Sequence, residues 1–231
     1  MVPISIVKST QNLISFGYGF DSNFEKHFLR LATKSRCFLF ESSIDFRSIM
    51  LALFRSIVDK LKGQRSFPSY RLKCFIRFLQ LKATPRISYF VKDVRAERLS
   101  ETQISFREII NSHAASWGTF LKIDIEGGEW EILASASLVK VNAMIIEFHQ
   151  IKSRLKEFST LIEILKEQFF ISHLHVNNFA SFSDGIPDVL EITFIRKNLI
   201  SPQTKMNLKK SLPTSLDSPC DNRFADQEIV F

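Results

Sequence analysis

Short apolar runs alternate along this chain with segments in which apolar side chains recur every three or four positions. The runs read as strands: Asn12–Phe16, 36–41 around Cys37-Phe38-Leu39-Phe40, 86–91, 119–125, 143–148, Phe169–Val176 and 189–196. The periodic segments between them read as helices. Phe24, Phe28 and Leu31 share one face over 23–32, and Ile49, Leu53, Ile57 and Leu61 lie four apart over 44–61. Shorter or later helical patterns cover 106–111, 129–138 and 153–168, the last with Leu161 and Leu165 inward.

Strands alternating with helices imply a parallel sheet covered on both faces. The last two strands are joined by a loop containing Gly185 and Pro187, without a helix, which favours an antiparallel pair. Five βα units with an antiparallel finish describe a Rossmann-like methyltransferase sheet better than a dinucleotide dehydrogenase sheet. The expected fold is therefore α/β of the class I methyltransferase type. It has a seven-stranded, mostly parallel sheet, an antiparallel last strand and helices on both faces. The domain is expected over 10–200, with a basic helical insertion at about 55–85 and a Pro-containing tail at 201–231.

With 231 residues, 45% hydrophobic and 24% charged, the chain can build one core and is not of disordered composition. Cys37, Cys74 and Cys220 are odd in number and far apart, so neither a disulfide framework nor a zinc knuckle is indicated. No apolar stretch approaches the roughly 18 residues of a membrane span. A cytoplasmic setting is the expectation. The net charge of +7 is concentrated: residues 55–98 alone carry 12 Lys and Arg against Asp59, Asp93 and Glu97, so the remainder is slightly acidic.

Only seven glycines are present, and four of them fall in two strand-to-helix turns. Gly17 and Gly19, in Phe16-Gly17-Tyr18-Gly19-Phe20-Asp21, allow positive φ and close backbone approach to a ligand ahead of a helix N-terminus. A dinucleotide fingerprint needs a third glycine where Ser22 stands, so a ligand without phosphates suits this loop better. Glu41 closes the second strand, where an acid accepts hydrogen bonds from ribose hydroxyls in such folds. The second turn follows Lys122-Ile123-Asp124-Ile125-Glu126, whose two carboxylates lie two residues apart and point to one side. Gly127-Gly128 then permits a sharp entry into the helix begun by Glu129-Trp130.

These blocks resemble the FkbM family of S-adenosylmethionine-dependent methyltransferases. The strand Lys122-Ile123-Asp124-Ile125-Glu126-Gly127 followed by an acid and an apolar helix matches its hallmark. The Phe16 to Asp21 run with Phe24-Glu25, Ile145-Ile146-Glu147-Phe148-His149, His175-Val176-Asn177-Asn178 and Leu190-Glu191-Ile192 resemble other family blocks in order. The chain departs from the pattern at Glu41-Ser42-Ser43, where the family often has Asp-Pro, in the basic insertion, and in a short or missing amino-terminal cap helix.

The resemblance implies methyl transfer from S-adenosyl-L-methionine to a hydroxyl of a sugar, a glycan or lipid, or a small natural product. It implies cofactor contacts from Gly17, Gly19, Phe20, Asp21, Glu41 and Asp124. Glu126 and His149 are the candidate general bases, with Asp124 positioning the reactants, and His175, Asn177 and Trp130 are candidate substrate contacts. No metal ligand set is indicated. Each residue has a plainer reading: Glu126 as a helix cap, Trp130 as core, and His149 and His175 as satisfied structural histidines.

The basic stretch 55–98, with Phe67, Tyr70, Phe75 and Phe78 interleaved, admits three readings. It is a solvated face over a packing stripe, a peripheral contact with an anionic membrane or partner, or a track for nucleic acid on an inactive methyltransferase-like fold. Nucleic acid is not the expected partner.

Overall fold

The computed structural model describes all residues except 1, 117, 135–136, 184, 202–210, 215–216, 222 and 231. Each apolar run becomes a strand of one sheet: β1 Asn12–Phe16, β2 Arg36–Phe40, β3 Ile87–Phe90, β4 Thr119–Ile123, β5 Val141–Phe148, β6 Phe169–Val176 and β7 Leu190–Arg196. Their order in space is β3-β2-β1-β4-β5-β7-β6. Strands β1 to β5 pair in parallel, and β7 inserts antiparallel between β5 and β6. The helix-free link from β6 to β7 allows that insertion, because only an antiparallel neighbour can be reached by so short a return.

The helices are α1 Ile4–Ser9, α2 Asn23–Leu31, α3 Phe46–Leu61, α4 Pro68–Lys82, α5 Phe106–His113, α6 Glu129–Ala134 and α7 Leu155–Gln168. Local chemistry fixes several of their starts. Asp45 and Ser48 form a capping box on α3, Ser105 and Glu108 another on α5, and Pro68 opens α4 where its missing N–H costs nothing. The basic stretch lies on a helical hairpin, α3 and α4. The amino-terminal helix α1 has six residues.

Alternation along the strands divides the core between the two faces. Ile14, Phe16, Leu121, Ile123, Ile146 and Phe148 pack with α5, α6 and α7 on one face. Leu13, Leu39, Phe120 and Ala143 meet α1, α2 and the inner residues Ile49, Phe78 and Leu81 of the hairpin on the other. Toward β6 this second face turns polar and is covered by the carboxyl-terminal segment. Asp217 there pairs with His173 at 2.6 Å and Asp226 with His175 at 3.0 Å. The buried Asn178 amide donates to the carbonyls of Asp221 and Phe224. No helix among the described residues is long and apolar enough to cross a membrane.

Candidate active site

Strands β2 and β4 end one residue before Glu41 and Asp124, so both acids emerge at the carboxyl edge of the sheet. β1, which lies between them, leads directly into Gly17 with φ +83°. A Cβ on Gly17 would stand 1.7 Å from the Asp124 carbonyl oxygen, so no side chain fits where the two loops cross. Lys122 reinforces the crossing: its Nζ donates to the Gly17 carbonyl and to Asp124 Oδ2, each at 3.3 Å. On the other side the Tyr18 amide donates to Glu41 Oε2 at 3.0 Å, while Glu41 Oε1 accepts from the Ser43 amide and hydroxyl at 2.7 Å.

These loops enclose a cleft of about 360 Å³ lined by Gly17, Gly19, Glu41, Ser43, Asp93, Asp124 and Glu126, among others. A larger cavity of about 660 Å³ lies beside α5, against Arg98, Phe106, Glu108 and Lys140. It is away from the carboxyl edge where an open α/β sheet binds ligands, and we place the site in the smaller cleft. The cleft gathers four of the six expected cofactor residues, Gly17, Gly19, Glu41 and Asp124. Phe20 (φ +64°) packs its ring 6.0 Å from Tyr18, and Asp21 accepts hydrogen bonds from Asn23 at the start of α2. Both therefore shape the loop from outside the cleft.

The second glycine turn organises the other side. Glu126 and Gly127 have φ of +52° and +102°, and the fully buried Glu129 carboxylate holds the turn. Glu129 accepts from the Gly127 amide at 2.9 Å, from the His149 amide at 2.7 Å, and lies 3.3 Å from His149 Nδ1. The opposite ring nitrogen, Nε2, lies 3.4 Å from Glu126, whose side chain is 86% exposed. Burial pushes the His149 imidazole down, but the hydrogen bond and charge of Glu129, with the charges of Glu147 and Glu126, outweigh it and hold it up at about 9. Burial, with the nearby charge of Asp124, raises the Glu147 carboxyl, against the Asn177 amide donating to it at 2.8 Å. Asp124, Glu147 and His149 each bring one donor atom within 4.8 Å of the others, close enough to share a divalent ion.

Trp130 is placed in the core rather than at a substrate surface. Its ring packs 5.3 Å from Phe148 and its indole N–H donates to the His149 carbonyl at 3.0 Å. That hydrogen bond is the physical reason an indole can be buried there. His175 faces the carboxyl-terminal segment. The Cys220 sulfur and then Asp226 raise its imidazole to about 9 against the opposing effect of burial. Asn177, through Glu147, remains linked to the His149 cluster. The sequence reading passed over Glu129, Lys122, Glu147, Glu191 and Asp93. The first was recognisable only as an acid in a helix's first turn. Lys122, Glu147 and Glu191 share a detectable signal, a lone charge inside an otherwise apolar strand. Glu191 stands in register between Glu147 and His175, and burial raises its carboxyl.

The strand order, the antiparallel β7 and a cleft at the carboxyl edge of the parallel strands define the Rossmann-like methyltransferase class. Residues 6–172 match the model of the methyltransferase FkbM domain, and the chain belongs to that methyltransferase family. Among solved structures it is similar to the Methanococcus jannaschii fibrillarin pre-rRNA processing protein, with 14% identity over 85% of this chain and 70% of that one, at a TM-score of 0.45. It is also similar to methyltransferase FkbM from Methylobacillus flagellatus KT, with 14% identity over 79% of this chain and 43% of that one, at a TM-score of 0.44. The TYW2 of P. horikoshii, in complex with MeSAdo, is 13% identical over 83% of this chain and 59% of that one, at a TM-score of 0.39. None of the curated proteins matches the chain.

Proposed function

We propose that the protein transfers a methyl group from S-adenosyl-L-methionine to a hydroxyl oxygen of a sugar, a glycan or lipid, or a small natural product. The observation that carries this reading is the cleft between the Gly17 and Gly127 turns, with Glu41, Asp93, Asp124 and Glu126 on its walls and Lys92 as its lining base. Such an acid-rich lining suits a cationic ligand bearing hydroxyls and opposes a polyphosphate. S-adenosyl-L-methionine would supply an electrophilic methyl on a positively charged sulfur.

The chain's own residues supply position, charge and proton transfer. Glu41, fixed by Tyr18 and Ser43, presents acceptor lone pairs to nucleoside hydroxyls. Asp124, fixed by Lys122, places negative charge on the cleft wall. The acceptor hydroxyl must lose its proton as the new bond forms. His149, pinned through both its amide and its ring to Glu129, fixes the position of Glu126. Glu126 is the exposed carboxylate at the rim and takes that proton. His149 thereby becomes a positioning residue, because an imidazole held cationic at neutral pH has no lone pair to offer.

S-adenosylhomocysteine added at millimolar concentration is expected to raise the melting temperature by mass action. Gly19→Arg, which sends a side chain into open space at the cleft, and Asp124→Ala are expected to abolish the shift while leaving the fold intact. No shift in the wild-type protein would overturn the reading.

A further inference from the structure

The hairpin of α3 and α4 carries a surface that the sheet does not use. Its inner residues Ile49, Phe78 and Leu81 join the core, but between residues 50 and 73 Ser56 is the one buried residue. The outer half is closed on itself by the Ser66 hydroxyl, which donates to the Ser56 carbonyl and accepts from the Ser56 hydroxyl, both at 2.6 Å. Around its tip, Phe54 is 64% exposed, Leu61 82%, Phe67 62% and Tyr70 54%. Lys60, Lys62, Arg65, Arg71 and Lys73 are exposed between them. From Lys60 to Lys92 the chain has nine basic residues and no acid.

We infer that this tip docks onto an anionic membrane surface. Exposed aromatic and aliphatic side chains flanked by cations are what an interfacial helix needs: the apolar groups leave water at the acyl boundary while the bases meet lipid phosphates. Other occupants fit less well. A nucleic acid would engage the bases and stack on aromatics, yet it gives no partner to Leu61 or Leu72. A second copy docking by the same patch would set these five cations against the same five. The tip projects from an element whose first residues adjoin the cleft, since Ser42 and Ser43 line it and Asp45 caps α3. The 16 residues of α3, about 24 Å of helix, separate that end from the docking tip. The inference stands on this surface alone and does not depend on the transfer chemistry.

The test is vesicle flotation of the full chain with phosphatidylcholine vesicles, with and without about one third phosphatidylserine. The wild-type protein is expected to float with the anionic vesicles and not with the neutral ones. Two double variants, Leu61→Ser with Phe67→Ser and Lys62→Glu with Arg65→Glu, are each expected to weaken binding at least tenfold. Their melting temperatures, and their shift with S-adenosylhomocysteine, should match the wild type, because none of the four side chains touches core or cleft. The proposal is overturned if the wild-type protein ignores anionic vesicles, if it binds neutral ones equally, or if either double variant binds unchanged. It is also overturned if duplex DNA or RNA displaces the vesicles, or if sedimentation shows a dimer that Phe67→Ser dissolves.

Discussion

The two glycine turns look alike in sequence, each a strand running into glycines and a helix, but the structure uses them differently. At Gly17 the constraint is space: a Cβ would overlap the Asp124 carbonyl at 1.7 Å. At Gly127 the constraint is conformation, since φ is +102° and the nearest atom a Cβ would meet is Gln150 Nε2 at 3.7 Å. Gly19, in the first turn, has φ +51° and open space before it. A glycine can therefore be required because two backbones cross, because a turn needs positive φ, or because a ligand needs room.

Gly17→Ala should be the most damaging of these changes, because overpacking and left-handed strain combine. About 3 kcal/mol of stability is expected to be lost in chemical denaturation, along with any cofactor-dependent thermal shift. A loss below about 1 kcal/mol would mean the loops can part, and would remove the difference between the turns. Glu129→Gln comes next. It weakens a buried acceptor serving Gly127 and His149, and about 1–3 kcal/mol should be lost. Gly127→Ala should cost about 1–2 kcal/mol through φ alone. Gly19→Ala, at a φ close to the left-handed helical minimum, should cost about 1 kcal/mol, leaving room for the binding assay to register a steric effect in the cleft.

A pH dependence is also expected, centred on the second turn. The His149 imidazole sits at about 9 in the folded protein and near 6.5 when unfolded. Its contribution is thus fully present below about pH 6.5 and disappears as pH rises through 9. The stability difference between wild type and His149→Asn should narrow across that window. A difference that stays constant with pH would show that the Glu129 carboxylate does not hold the proton on His149.

Much of the fold was legible because strand burial leaves a direct trace. Runs such as Leu13-Ile14 and Ala143 to Ile146 are apolar since helices cover both faces of the sheet there, and the helix-free link before Leu190 announced the antiparallel strand. The site was legible in part. Gly17, Gly19, Glu41, Asp124 and Glu126 follow strand ends, and a parallel sheet places strand ends together whatever its helices do. Phe20, Asp21 and Trp130 lie next to these residues in sequence but leave the cleft, because a turn or one step along a helix points the side chain elsewhere.

The sequence by itself determined the order of the seven strands and the segments that meet at the carboxyl edge. Both follow from local periodicity and strand-end chemistry, while its motif blocks carried the resemblance to the family. Tertiary structure alone decided that Glu129 holds His149 across 20 residues of chain and that Lys122 ties Gly17 to Asp124. It also decided that Asp226 covers His175 and that the tip of the basic hairpin stands clear of the core. Those facts are distances between residues far apart in sequence, set by strand order and packing, and no local pattern encodes them.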